Sequence, residues 1–251
     1  MRIVVVGAGG LVGGAVVRAA SRRGAAVTAL ARWQCDVERA TDRDRVLGEL
    51  RPDAVILCAA ATHVDEAGPG TRGVNVDAPV AWARRVETWF LSSNFVFDGP
   101  GPHPPSEAPR PLNPYAEQKV EAEQGVLAAG GHVVRVGWVY GPGGRTFASM
   151  LPERLASGQP VRALCDVLVQ PTHADDVAAE LLALPRGISH LASSAPTTWY
   201  GFALAYAARL GGRVEPVRLA QFGLGPRPRA ARLEPATLPP WTERLPSWAA
   251  G

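Results

Sequence analysis

Short apolar runs alternate with helix-periodic stretches along most of the chain. Arg2 to Val6 is β-branched and nearly continuous, the character of a parallel strand buried on both faces. An apolar-periodic segment follows to about Arg22, then a second strand over Ala26 to Leu30. A helix around Asp42 to Leu50 leads to a third strand, Asp53 to Ala59, and Val74 to Val86 is the next helix. Trp89-Phe90-Leu91 opens a strand, and a Pro-rich loop from Gly99 to Pro114 delivers another helix. Val133 to Val136 is a further strand. Beyond Gly141 the alternation loosens into a helix over Phe147 to Ala156, a short strand near Val161, and a polar segment, Gln170 to Asp176, with no element assigned. A strand at Ile188 to Leu191 and a helix over Trp199 to Leu210 come next. The tail, Gly223 to Gly251, is rich in Pro and Arg and is expected to wrap the domain or be partly mobile. Strand–helix alternation predicts an α/β fold with a doubly wound parallel sheet. Residues 1–141 read as a dinucleotide-binding core. Residues 142–251 read as a small, mixed, substrate-binding part with elements returning to that core.

Between the first strand and the first helix lies Gly7-Ala8-Gly9-Gly10-Leu11-Val12-Gly13. Gly7 permits a tight turn, Gly10 lets backbone approach a pyrophosphate, and Gly13 lets helix and strand pack closely. The helix N-terminus, with Leu11 and Val12, offers free N–H groups to the phosphates. This makes the expected sheet Rossmann-like. The second strand ends Leu30-Ala31-Arg32, with no carboxylate at the position that commonly binds a ribose 2′-hydroxyl. Arg32 is then either a surface guanidinium or a partner for a 2′-phosphate, which would favour NADPH with NADH still possible. Asp36, with Val37 beside it, lies later in the loop and suits an adenine edge better than the ribose. Ala59, Ala60 and Ala61 end the third strand with side chains small enough for a cofactor to approach, or for close helix–sheet packing. Thr62 to Glu66 continues as a loop whose polar groups are placed to meet a substrate.

Asn113-Pro114-Tyr115-Ala116-Glu117-Gln118-Lys119 carries the candidate chemistry. Asn113 is a good N-cap, Pro114 suits the first helical position, and Glu117 puts negative charge in the first turn. Tyr115 and Lys119, spaced i, i+4, share one helix face. A free phenol titrates near ~10. A neighbouring ammonium is expected to draw that value down towards working pH, giving a proton donor or acceptor for alcohol–ketone chemistry. Such a pair is also common on solvated surface helices, but composition shifts the balance. Lysine plus arginine number 26, and Lys119 is the only lysine. A compact ammonium is thus kept at one place in a chain that otherwise uses guanidinium. Ser93 ends the preceding strand, where a hydroxyl can hydrogen-bond a carbonyl oxygen.

The remaining bounds are broad. A chain of 251 residues, 47% hydrophobic and 20% charged, suits one globular domain with at most a small appendage. A net charge of +3 with dispersed arginines gives no reason to expect nucleic acid. No stretch approaches the ~20 apolar residues of a membrane span. Cys35, Cys58 and Cys165, few and scattered, suggest reduced thiols in a cytoplasm. No metal site is expected, because His63 has no second histidine or cysteine at ligand spacing.

Taken together these segments resemble the extended short-chain dehydrogenase/reductases, and among them the dTDP-4-dehydrorhamnose reductase family. The likeness rests on Gly7, Gly10 and Gly13, on Cys58 to Ala67, on Ser93-Asn94-Phe95-Val96-Phe97, and on Pro111 through Lys119 followed by Glu123. It continues through Arg135 with Trp138 to Gly141, Gln170-Pro171-Thr172, and Pro196 to Tyr200 with Phe202. The resemblance implies reduction of a 4-keto nucleotide sugar. Ser93 would polarise the carbonyl, Tyr115 supply the proton, and Lys119 hold the nicotinamide ribose and tune Tyr115. It assigns Val64, Asn94, Phe95 and Trp138 to the sugar side. Asn94 stands where the family usually has Asp, Phe95 where it has Tyr, and Gly137 where it has Ser, so the departures fall on the substrate side. Two alternatives stand beside this expectation: a related reductase for another carbonyl substrate, and a dinucleotide-binding regulatory subunit. A homodimer is the assembly considered.

Overall fold

The computed structural model describes residues 1–245. Its strands are β1 (Ile3–Val6), β2 (Val27–Leu30), β3 (Ala54–Leu57), β4 (Thr88–Ser93), β5 (His132–Val136) and β6 (Trp138–Tyr140). They continue as β7 (Val161–Leu164), β8 (Leu168–Val169), β9 (Pro171–His173), β10 (Ile188–Leu191), β11 (Thr197–Thr198) and β12 (Val214–Val217). The α-helices are α1 (Leu11–Arg22), α2 (Ala40–Leu50), α3 (Ala78–Ala83), α4 (Pro114–Ala128), α5 (Phe147–Ala156), α6 (Ala174–Leu181) and α7 (Trp199–Leu210).

Six strands make one sheet in the order β10-β5-β4-β3-β1-β2. Every neighbouring pair in it is parallel. The strands read as apolar runs because both faces are covered, and alternate residues serve opposite cores. Val5 and Ile56 join Val16, Ala19, Val177 and Leu181 on the α1–α6 face. Val4, Val6, Val55 and Leu57 join Val46, Trp82, Ala122 and Val126 under α2, α3 and α4. Two elements from beyond residue 141, β10 and α6, therefore complete the sheet and its first helical layer. A third core holds Tyr140, Leu151, Leu155, Val161, Phe202, Tyr206 and Trp241, in which α5 and α7 pack with the parallel β7–β12 pair.

Several details depart from the sequence pattern. The helix over 74–86 is a π-helical turn, Gly73–Asp77, followed by the shorter α3. Helix α6 follows Gln170–His173 directly, where no helix was expected. The His173 imidazole accepts from the Asp175 N–H at 3.2 Å, and Asp175 and Asp176 fill the first turn, where the dipole favours them. The tail wraps. Bridges His103↔Leu233 and Ser193↔Leu238 stitch it to the body, while residues 246–251 of that tail lie outside the described residues. Among the described residues no helix is long and apolar enough to cross a membrane.

Candidate active site

Strand order reverses between β1 and β3, so a crevice opens beyond their carboxyl ends. Gly7 turns there with φ +84°, and a Cβ on it would meet Ala59 N at 2.6 Å. A Cβ on Gly13 would meet Gly7 O at 2.3 Å. Both glycines are thus required by the chain's own packing. Gly10 is different, since its nearest neighbour to an added Cβ is Gly7 O at 3.3 Å. It serves as the N-cap of α1 with no side-chain cap, and the first turn holds no acidic residue. The N–H groups of Leu11, Val12 and Gly13 consequently lie at an uncapped positive helix end, a setting for an anion.

At the end of β2, Arg32 is exposed. Asp36 is occupied locally: Oδ1 accepts from Glu38 N at 3.2 Å and Oδ2 lies 3.7 Å from Arg39 Nε. Val37 is 5% exposed within the α2–α3 core, and its carbonyl accepts from Trp82 Nε1. Its side chain is spent on packing, which leaves only backbone for a cofactor. Ala59, Ala60 and Ala61 stay half-exposed at the end of β3. Asn75, fully buried, fixes them: Oδ1 accepts from Ala61 N at 2.9 Å, and Nδ2 donates to Ala61 O at 3.2 Å and to Gln118 Oε1 at 2.9 Å. The π-helical turn is what aims Asn75 inward between β3 and α4, and no spacing rule in the sequence announces it.

Ser93 ends β4 and Tyr115 opens α4, and the Ser93 hydroxyl is near enough to the phenol to act on its titration. The helix begins where expected because Asn113 Oδ1 accepts from Ala116 N at 2.9 Å and Pro114 follows. Lys119, one turn on, is 2% exposed. Its Nζ donates to Leu91 O at 3.1 Å and stands 4.6 Å from the Phe90 ring centroid and 5.9 Å from that of Tyr115. The expected lowering of the phenol does not occur. Burial pushes Tyr115 up to about 12, only partly opposed by the Ser93 hydroxyl. Desolvation of the phenolate dominates, and an ammonium 5.9 Å from the ring centroid does not offset it. Burial also draws Lys119 down to about 8, against the pull of Glu123 one turn further along.

The residues assigned to a sugar are spread around this centre. Thr62 is exposed, and Val64 is half-buried at the start of a 3₁₀ turn, Val64–Glu66. Phe95 stands edge-on to Tyr115 with centroids 6.2 Å apart. Trp138 is half-buried on the third core, 4.2 Å from Trp199 and 5.1 Å from Phe202 by ring centroid. Asn94 is 6% exposed, and its amide donates to Ala231 O at 2.8 Å, leaving Oδ1 3.4 Å from Ser93 Oγ. An Asp here would set a carboxylate against that carbonyl, so Asn is the residue that fits. Gly137 is fixed similarly, because an added Cβ would meet Gln170 O at 2.7 Å.

Sequence reasoning missed the role of residues 225–234. Asn113, besides capping α4, donates to Pro226 O at 2.9 Å. Arg227 pairs with Asp65, on the Val64 turn, at 2.5 Å, and Asp65 also accepts from Gly225 N. The segment thus fastens to three stretches that border the centre: the Val64 turn, Asn94 and the start of α4. Only the isolated Arg-Pro composition of the tail hinted at it. Among the described residues no group of three or more His, Cys, Asp or Glu side chains is arranged to hold a metal ion.

A family model described as the RmlD substrate binding domain matches residues 1–250. The chain belongs to this family. Among RmlD-type relatives, a Mycobacterium tuberculosis protein named dTDP-4-dehydrorhamnose reductase is 36% identical over 253 residues, covering 90% of this chain and 81% of its own length. A Streptomyces antibioticus protein named a probable dTDP-4,6-dihydroxy-2-methyloxan-3-one 4-ketoreductase is 33% identical, covering 92% of this chain and 85% of its own. The fold is shared with a Bacillus anthracis dTDP-4-dehydrorhamnose reductase solved in complex with NADP, at TM-score 0.91 and 22% identity, over 97% of this chain and 96% of that one. RmlD membership agrees with the Rossmann-like sheet and with the Tyr115–Lys119 helix at its carboxyl edge.

Proposed function

We propose that this RmlD-family protein is an oxidoreductase that reduces the 4-keto group of a dTDP-linked deoxysugar with NADPH. The observation that carries the reading is Ser93 and Tyr115 beside a fully buried Lys119, whose Nζ is 5.9 Å from the Tyr115 ring centroid, at the carboxyl end of a parallel sheet whose glycine turn is open to an anion. The crevice fits a dinucleotide, since Gly10 leaves room on the ligand side and Ala59 to Ala61 present small side chains. Gly7, Gly10, Leu11, Val12 and Gly13 would hold the pyrophosphate, Arg32 a 2′-phosphate, and Asp36 with the Val37 backbone the adenine. NADPH supplies the hydride. Ser93 donates to the substrate carbonyl oxygen and Tyr115 delivers the proton to it. A phenol held at about 12 is protonated throughout the neutral range, as a reductase requires. Lys119 binds the nicotinamide ribose, and Thr62, Val64, Asn94, Phe95 and Trp138 border the sugar.

In this reading residues 1–141 supply most of the cofactor site and residues 142–251 most of the substrate side. Free thiols at Cys35, Cys58 and Cys165 support a cytoplasmic setting. We include a homodimer in the proposal, to be tested by light scattering. The assay for the function is NADPH oxidation at 340 nm with dTDP-4-dehydrorhamnose. Turnover at ordinary enzymatic rates is expected; absence of NADPH binding and of turnover defeats the reading. A second reading keeps the chemistry and changes the sugar. It is favoured by Phe95, which offers no hydroxyl to the pocket, and by the named substrate of the Streptomyces antibioticus relative. Turnover of other dTDP-4-keto deoxysugars, but not of the rhamnose precursor, would select it.

A further inference from the structure

Lys119 and Glu123 are spaced i, i+4 on α4, the arrangement in which a lysine and a glutamate ordinarily close an ion pair. Both are 2% exposed, where such a pair would be strongly favoured over two separated charges. Yet Lys119 spends its contacts on Leu91 O and the Phe90 ring, while Glu123 turns to Arg135 on β5. Arg135 Nε reaches Glu123 Oε1 at 3.0 Å and Oε2 at 3.2 Å, and Nη2 reaches Oε2 at 2.7 Å. The guanidinium is itself immobilised. Nη1 donates to Pro105 O at 3.3 Å, Cζ stands 4.8 Å from the Phe97 ring centroid, and Nη1 lies 3.4 Å from His190 Nε2. His190 is held neutral by burial and by Arg135, and its Nδ1 donates to Glu234 O at 2.9 Å, which leaves Nε2 as an acceptor.

We propose that Arg135 is a positioning residue that holds the Glu123 carboxylate away from Lys119, so that the ammonium keeps a nearby anion but stays free to bind the nicotinamide ribose. The ribose clause rests on the proposed NADPH-dependent function; the charge arrangement does not. A direct Lys119–Glu123 pair would occupy the ammonium and draw it along α4, away from Tyr115. Full removal of the carboxylate would leave a buried cation with no counter-charge. The groups that bear on Lys119 are Tyr115 and Glu123 from α4, Arg135 from β5, and His190 from β10 behind Arg135. Among them Glu123 is the single carboxylate.

The sole lysine makes the test direct. Selective ¹⁵N-lysine labelling gives one side-chain signal, whose titration in the cofactor-free protein reports Lys119 alone. NADPH affinity is read separately from nicotinamide fluorescence, and circular dichroism checks folding. Arg135→Leu should raise the Lys119 midpoint and weaken NADPH binding by about tenfold, as Glu123 swings across. Glu123→Gln should lower the midpoint by about one pH unit and leave NADPH binding at pH 6.5 within about threefold of the parent. The double variant, Arg135→Leu with Glu123→Gln, should recover NADPH binding at pH 6.5 while keeping the lowered midpoint. A purely structural ion pair would lower stability in each single variant and leave NADPH binding by Arg135→Leu at the parent level, the lysine midpoint moving only as the loss of each charge dictates, which overturns the proposal. If Arg135→Leu does not fold, Arg135→Gln, which cannot grip both carboxylate oxygens through a guanidinium fork, takes its place with the same expected outcomes. A parent protein that fails to bind NADPH defeats the cofactor reading instead, and the titration still judges the charge arrangement.

Discussion

Tyr115 and Lys119 show how burial reorders what spacing suggests. The i, i+4 geometry brings them together, but desolvation moves each towards its neutral form: the phenol up to about 12, the amine down to about 8. Tyr115→Phe should lower turnover by about 10²–10⁴-fold, with NADPH affinity little changed. Single-turnover rates and a cofactor titration check this. Lys119 also carries a stability signature. A group whose folded pKa is depressed contributes stability above its unfolded value and loses it as pH falls through the folded one. For Lys119 that window runs from 10.5 down to about 8, so at pH 7 its buried charge costs about 3 kcal/mol. Lys119→Met should therefore be inactive yet more stable than the parent at pH 7, and the gap should close as pH rises towards 10.5. Urea unfolding of both proteins across that range measures it. At the cofactor's other end, Arg32 is exposed and has no acidic neighbour at the β2 terminus. Arg32→Asp should shift preference from NADPH towards NADH through loss of one charge-assisted contact, roughly 1.5–3 kcal/mol. Equal kcat/KM for the two cofactors in the parent would contradict it.

At the scale of elements, the glycine turn separates packing from binding. Gly13→Ala drives a Cβ to within 2.3 Å of Gly7 O and 2.9 Å of Ala8 Cα, both backbone atoms that cannot yield cheaply. It should cost about 1–3 kcal/mol of stability and abolish NADPH binding. Gly10→Ala meets only Gly7 O at 3.3 Å, so its stability cost should stay within about 1 kcal/mol while NADPH affinity falls. Thermal unfolding and cofactor titration on the two variants distinguish these outcomes. The start of α4 was legible because Asn113, Pro114 and Glu117 each satisfy a local rule for a helix N-terminus. The start of α6 was not, because its cap is a histidine, whose ring nitrogen takes the place usually held by a Ser, Thr, Asn or Asp oxygen.

Across the whole molecule, the segment 225–234 links the two halves at the edge of the site. Its Arg227–Asp65 pair is partly exposed, so its own contribution is modest and weakens with salt. Its effect lies in where the segment sits. Asp65→Ala should speed proteolysis between residues 223 and 235 and raise the KM for the nucleotide sugar severalfold, with NADPH affinity unchanged. Limited proteolysis and steady-state kinetics check the two effects. A rise in the Kd for NADPH without a change in the sugar KM would put the segment on the wrong side of the site.

The sequence by itself determined the order of strands and helices in the first 136 residues, the glycine turn, the helix of Tyr115 and Lys119, and Ser93 at a strand end. These are local features: continuous apolar runs, backbone demands at single glycines, and caps within three residues of the helix they start. Tertiary structure decided what depends on contacts distant along the chain. It brought β10 and α6 back to the sheet, because β5 needed a neighbour and α1 a partner on the same face. It spent Val37 on the core, committed Asn94 to the Ala231 carbonyl 137 residues away, and gave Glu123 to Arg135 rather than to Lys119. Local spacing shows which charges and amides can meet along one element. Which of them do meet is fixed by burial, since a desolvated group takes the partner that leaves the fewest polar atoms unsatisfied.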